Sequence, residues 1–199
     1  MLHVVDVASY QWDLIKNKSP LITGADCVVV KISEGINYRN PYAFDTLKLA
    51  KEHGQGIGVY HFARAEKNSA QLEARHFIDT IHSLKIEKPC VLALDYEEKS
   101  FQNKDMNNWA RTFMDCVFNE TGVRPMLYVQ QDMIKNFPSV FMGNYGLWIA
   151  QWNVKKPGAI TPWEFYAMWQ FHVQKTNYFG LDMNLFNGSM AAWKKYGGL

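Results

Sequence analysis

At 199 residues the chain is long enough to bury one full core, and 48% hydrophobic residues is an ordinary share for a globular protein. A formal net charge of +2 with no Lys/Arg block excludes the footprint of a nucleic-acid binder. Three cysteines, Cys27, Cys90 and Cys116, with no CxxC and no His/Cys cluster read as free, mostly buried thiols.

The first residues, "MLHVVDVASYQW", have no basic stretch leading into a long apolar one, so no signal peptide is expected. No apolar run approaches the roughly 18 residues of a membrane span, so no membrane insertion is expected either. Short apolar, β-branched runs predict strands at 3–8, 27–33, 56–63, 90–97, 125–130, 145–152 and 165–171, with a further strand-like piece in "FGLDMNLF". Such near-continuous apolar runs suit parallel strands covered on both faces. Helices are predicted between the earlier strands. One follows Asn40-Pro41 with Phe44, Leu47 and Ala50 on one face and Gly54 closing it. A second starts at Asn68 with Gln71 three residues on, and carries Leu72, Ala74, Phe77, Ile78, Ile81 and Leu84. A third starts near Asp105, turns Met106, Trp109, Ala110, Phe113, Met114 and Val117 inward, and ends at Gly122. After about residue 137 the helices thin out. The pattern is α/β: an irregular TIM-like barrel, about five β/α units followed by three helix-poor strands, as a single domain over 1–199. An open doubly wound sheet is the alternative.

A parallel barrel gathers the C-terminal ends of its strands at one mouth. Asp6, Glu34, Asp95, Glu97 and Asp182 all fall at such ends. In "VLALDYEE" the two-residue period puts Asp95 and Glu97 on one face, roughly 7 Å apart along the backbone, with Tyr96 opposite. Two carboxyls facing one pocket push one proton affinity upward, which is how a protein keeps an acid protonated near neutrality beside a charged neighbour. Glu98 shares the parity of Tyr96 or lies in the loop, and reads as solvated. Taken alone, the pair also fits a plain role, with Asp95 capping a helix and Glu97 paired with a lysine. The acids at the other strand ends favour a proton-transfer site. Aromatics are plentiful, at 15% with seven tryptophans. Tyr60, Trp148, Trp152 and Trp169 fit either a core or a flat surface for sugar rings, and Gln11, Gln151, Gln170 and Asn184 are amides suited to hydroxyl or acetamido groups. His76 and His82 do not share a helical face at ligand spacing, so no metal and no other cofactor is expected.

The segments "DVASYQ", "KISEG", "GVYHFAR", "LALDYEE", "LWIAQW", "MWQF" and "LDMN" occur in the order seen in glycoside hydrolase family 25, the lysozymes (N-acetylmuramidases) of phages, bacteria and fungi. The chain resembles that family from Val4 to about Trp193. The resemblance implies the five-plus-three barrel and hydrolysis of the β-1,4 bond between N-acetylmuramic acid and N-acetylglucosamine in peptidoglycan. It implies Asp6, Asp95, Glu97 and Asp182 as catalytic acids, with Glu97 the proton donor. It implies Glu34 and Tyr60 at the substrate, beside Trp148, Trp152 and Gln170 from the residue reading. One departure is Ala8, where the family has a serine, with Ser9 following.

Bacterial peptidoglycan is then the expected partner, with no nucleic acid and no obligate protein partner. No separate wall-binding module is expected, and the lack of a signal peptide suits a phage or prophage enzyme released by lysis. The alternatives are an amidase or peptidase, for which no zinc set or Cys-His pair is visible in the sequence, and a catalytically silent peptidoglycan-binding domain.

Overall fold

The computed structural model describes residues 1–17, 24–97, 104–137, 144–172 and 180–199. The strands are β1 (Leu2–Val7), β2 (Cys27–Glu34), β3 (Tyr38–Arg39), β4 (Gly56–Phe62), β5 (Val91–Asp95), β6 (Met126–Gln130), β7 (Leu147–Ala150), β8 (Met168–His172) and β9 (Asp182–Phe186). The helices are α1 (Trp12–Asn17), α2 (Ala43–Glu52), α3 (Ala70–Ser83), α4 (Lys104–Thr121) and α5 (Met190–Tyr196). Among the described residues the sheet runs β1-β9-β8-β7-β6-β5-β4-β2-β3, and β1 also pairs with β2. Eight strands therefore close into a barrel, and β3 is a short hairpin strand on the rim of β2. The expected barrel is found, and the open sheet is not. Glu98 lies outside the described residues.

Strand alternation splits the apolar residues into two cores. The odd partners of the "CVVVKIS" type fill the barrel: Val4, Cys27, Val29, Tyr60, Val91, Ala93, Met126, Tyr128, Trp148, Met168 and Phe186. Their neighbours in sequence, such as Val5, Val28, Val30, Val59, Leu92 and Leu94, face outward under the helices. Both faces of the barrel strands are thus buried, which is why the runs are apolar without a gap.

Four expectations change. Strand β9 is antiparallel to both neighbours, and the connection from His172 to Asp182 is shorter than the dozen or more residues that a parallel crossover needs. On α2 and α3 the buried stripe is offset from the predicted one. Phe44 is 60% and Leu72 58% exposed, while Ala43, Thr46, Leu47 and Ala50, and then Ala70, Glu73, Ala74, Phe77, Ile78 and Ile81, face the sheet. Each set follows the i, i+3, i+4, i+7 rule that an exposed apolar residue can imitate in sequence. The cap of α3 is Ser69, whose Oγ accepts the Leu72 N–H at 3.4 Å, not Asn68. Finally, a terminal helix not anticipated from sequence, α5, is capped by Ser189. It drops Trp193 against Phe186 at the bottom of the barrel, with ring centroids 5.1 Å apart.

Candidate active site

Register brings the acids together at the upper mouth. Asp6 pairs with Asp182 across β1 and β9, Phe62 pairs with Asp95 across β4 and β5, and Asp95 pairs with Tyr128 across β5 and β6. A pocket of about 220 Å³ there is lined by Asp6, Asp95, Glu97 and Asp182 together with Tyr60, Trp148, Trp152 and Gln170. All four predicted acids and four of the five predicted binding residues therefore share one cavity. A larger cleft, of about 780 Å³, lies at the other end of the barrel and includes Arg124, Tyr145, Trp163 and Phe165. Its only lining acid among the described residues is Glu164, so it lacks the paired carboxyls that proton transfer needs, and the smaller pocket is the chemical one.

Buried amides fix the acid of β1. Asp6 Oδ2 accepts Asn184 Nδ2–H at 2.7 Å and Gln170 Nε2–H at 3.0 Å. The other ends of these amides are held in turn. Trp148 Nε1–H donates to Asn184 Oδ1 at 2.7 Å, and Trp152 Nε1–H and the Tyr128 hydroxyl both donate to Gln170 Oε1 at 3.0 Å. Every orientation in this chain is forced, because each amide has its donor and acceptor ends already assigned by a neighbour. Asp6 is nonetheless buried beside another acid, and burial followed by the charge of Asp182 raises its pKa from 3.8 to about 7 against the pull of the two amides.

Asp95 ends β5 deep in the pocket, and its Oδ1 has no hydrogen-bond partner among the described residues. Burial, then the charge of Glu97, pushes it well above the usual aspartate range. Glu97 sits two residues on and half-buried. Burial, then Asp6, raises it too, while hydrogen bonds from Tyr128 and Asp95 pull it down. The pair titrates as a unit. The sequence reading has Asp95 charged and Glu97 protonated; in the structure both carboxyls of the pair are raised, with burial the largest cause for each. Tyr96 points away as expected and packs edge-on against Trp109 and Phe137.

Some predicted residues do other work. Glu34 does not line the pocket. Its Oε2 accepts Lys31 Nζ at 2.5 Å, and its Oε1 accepts Arg64 Nε at 2.7 Å and a terminal guanidinium nitrogen at 2.5 Å. Burial alone would raise its pKa, but these hydrogen bonds outweigh it and hold the carboxyl below its usual range. Trp148 is almost wholly buried as the floor of the pocket, edge-on to Tyr128 at 4.9 Å and Tyr60 at 6.3 Å. Trp169 faces the outer layer and donates its N–H to the Gln151 carbonyl at 2.9 Å. Gln11 caps the Ala8 N–H at 2.7 Å and Gln151 the Gly158 N–H at 2.7 Å. Both are local supports. At the departure from the family pattern, Ala8 lines the pocket and Ser9 Oγ accepts the Tyr38 hydroxyl at 2.8 Å.

Sequence reasoning missed Lys31, Tyr128, Gln130, Phe62 and Tyr10, which also line the cavity. Lys31 had a signal: it is a lone cation in the apolar run "CVVVKIS" with the inward parity of Cys27 and Val29. Its neighbour Ser33 shares that parity yet faces outward, because a β-bulge interrupts β2 between Lys31 and Ser33. The carbonyls at the bulge are taken by Asn40, whose Nδ2 donates to Lys31 O at 2.7 Å and whose N–H donates to Ile32 O at 2.9 Å.

The sequence profile described as glycosyl hydrolases family 25 matches residues 5–178. The autolytic lysozyme of Clostridium acetobutylicum is 32% identical over 136 residues, 68% of this chain and 40% of that protein. The lysozyme of Streptococcus phage Cp-9 is 31% identical over 138 residues, 62% of this chain and 38% of that one. The chain thus matches about two fifths of the length of these two curated relatives. Among solved structures, a muramidase from Trichobolus zukalii superposes with a TM-score of 0.82 over 99% of both chains at 24% identity, a likeness of fold.

Proposed function

The chain belongs to glycosyl hydrolases family 25, and from that premise we propose that it is a lysozyme. Its reaction is cleavage of the β-1,4 bond between N-acetylmuramic acid and N-acetylglucosamine in peptidoglycan. The relatives named lysozyme and the phage origin of one of them support this reading, which includes a role on the bacterial wall after release by lysis. The single observation that carries it is the convergence of Asp6, Asp95, Glu97 and Asp182 on one pocket with aromatic rings beside them.

In the proposed mechanism the acetamido N–H of the sugar on the non-reducing side of the bond docks on Asp95. An N–H donor favours the charged carboxylate, so the shared proton moves to Glu97. Glu97 then protonates the glycosidic oxygen as the bond to C1 breaks. The acetamido oxygen attacks C1 and forms an oxazolinium ring whose charge Asp95 balances. Water next attacks C1, gives its proton to Glu97 and reopens the ring, so the configuration is retained. The two-residue spacing favours this route over the opposed acid and nucleophile of ordinary retaining enzymes. Asp6, held by its two amides, and Asp182 orient the water or the acetamido group.

A silent binding domain would have no need of four carboxyls crowded into one pocket, two of them buried, at such cost. The test is incubation with purified bacterial walls, with turbidity and mass analysis of the released sugars. Saccharides ending in reducing N-acetylmuramic acid support the proposal, and release of peptides with new amines and no sugars would reject it.

A further inference from the structure

Below the pocket, between α3 and the barrel, lies a hydrogen-bonded cluster that the proposed chemistry does not use. Glu73 of α3 is 0% exposed. Its Oε1 accepts the Arg64 backbone N–H at 3.1 Å and Asn68 Nδ2–H at 2.8 Å. Its Oε2 lies 2.9 Å from His61 Nε2 and 3.0 Å from the Arg64 backbone N–H. The other nitrogen of His61 lies 2.8 Å from Ser33 Oγ. Burial holds the His61 pKa below its usual value against the pull of Glu73, so the ring is neutral, with Nε2–H donating to Glu73 and Nδ1 accepting from Ser33. Ser33, His61 and Glu73 thus have the residue types of a hydrolytic triad, but all three are sealed from solvent, and the serine cannot reach a substrate.

What the cluster does is fix the chain just after β4. The turn closes on itself, with Lys67 and Asn68 N–H groups donating to Arg64 O at 2.9 and 3.1 Å. From that fixed backbone the Arg64 guanidinium reaches back across Phe62, 4.8 Å from the ring centroid, to Glu34. Gly35 turns the chain between them in the left-handed region, with φ +53°, where a side chain would be strained. Glu34 in turn grips Lys31 Nζ, which lies 4.5 Å from the centroid of Phe62. Phe62 and Glu34 therefore each touch both cations, and Lys31 has little room to turn.

We infer that Arg64 and Glu34 are positioning residues that hold Lys31 as the fixed cation of the pocket beside Asp95 and Glu97, with the Glu73 cluster as their anchor. This goes beyond the proposed function, which gave Glu34 no part, and its consequence for catalysis rests on that reading. Lys31 is the one cation among the described pocket-lining residues. The charged and titratable groups about it are Glu34 on its own strand, Tyr38 on β3, His61 on β4 and Arg64 after it, Asp95 and Glu97 at β5 and Asp6 on β1, with Tyr10, Tyr60, Tyr128 and Asp182 also on the pocket wall. Its charge lowers the proton affinity of both Asp95 and Glu97, so it limits how far burial can raise the pair. A lysine has four rotatable side-chain bonds, and left free it would spend much of its time away from the acids.

The test reads the carboxyl resonances of Asp95 and Glu97 by 13C NMR titration of the protein without substrate, assigned through Asp95→Asn and Glu97→Gln. Arg64 is partly exposed, so Arg64→Gln preserves the fold, which the spectrum itself reports. The expected result is an upward shift of the pair by about half a pH unit, a threefold gain in proton affinity, and a larger shift in Lys31→Met. In the Lys31→Met background Arg64→Gln should add nothing. No shift in Arg64→Gln would overturn the inference. So would an equal shift in both backgrounds, because that is the through-space field of Arg64 and not the placing of Lys31. Since the titration needs no turnover, a wild-type protein that failed to cut walls would reject the proposed function and leave this result standing on its own.

Discussion

Replacing Asp6 by asparagine should make the protein more stable at alkaline pH while disabling it. Asparagine can set its oxygen where Oδ2 lies, still accepting from Asn184 and Gln170, and turn its amide toward the pocket. What it loses is the charge. A rise in pKa from 3.8 to about 7 corresponds to about 4 kcal/mol of cost for holding Asp6 ionised in the folded state. The folded state binds this proton more tightly than the unfolded chain does. Between pH ~4 and ~7 folding therefore takes up a proton, stability falls as pH rises through that window, and above it the full cost is present. Urea unfolding should show Asp6→Asn more stable than wild type by up to about 4 kcal/mol at pH 8 and nearly equal to it below pH ~4. Part of the gain is shared with Asp182, whose repulsion is relieved together with the burial cost. Activity on walls should fall by about two orders of magnitude or more, as expected for an orienting or proton-handling group. A variant less stable than wild type at pH 8, or a difference that does not change with pH, would refute the claim that Asp6 is a buried acid under strain from its neighbour.

Other outcomes follow from the same structure. With Glu97 raised above 4.5 by burial and Asp6, the rate should fall with rising pH along a limb whose midpoint lies above 4.5, and Glu97→Gln should remove that limb with the activity. Gln170→Leu leaves Asp6 with one amide fewer and strands the donor of Trp152. It should cost about 1–3 kcal/mol in denaturant unfolding and slow wall lysis at least tenfold by misorienting Asp6. Phe113, fully buried and stacked between His61 and Trp109 at 5.0 and 5.7 Å, should cost about 3–5 kcal/mol when cut to alanine, seen as a lowered melting temperature. A thiol reagent at pH 8 should count one reactive cysteine, Cys116, in the folded protein and three after unfolding, because Cys27 and Cys90 are buried and their thiols are pushed up to about 12.

Much of the barrel was legible because its strands are buried on both faces, which leaves an unbroken apolar signature. Asp95 and Glu97 stood out for the converse reason: carboxyls ending such a run break the pattern. Lys31 breaks it in the same way and could have been singled out on that ground. Tyr128 and Gln130 could not, since aromatic and amide residues are ordinary in strands, and only the pairing of β5 with β6 aims them at the pocket. That Glu34 grips two cations outside the pocket lining could not be read, because a position at a strand end looks the same whether the residue binds a ligand or a neighbouring cation. That distinction depends on Arg64, thirty residues away, and on the turn that Glu73 holds. Phe44 and Leu72 show the limit of periodicity, since an exposed apolar residue can fit a helical stripe as well as a buried one. The direction of β9 rests on which strands it lies between, which no local pattern encodes.

The central claim is that Glu97, beside Asp95 in this pocket, hands a proton to a glycosidic oxygen. Its most direct test compares reducing sugars released from purified bacterial walls by the wild-type protein and by Glu97→Gln, with both shown to be folded. The account predicts steady release of muramic-acid-ended fragments by the wild type and a loss of at least about a thousandfold in the variant. Equal release by the two would contradict it.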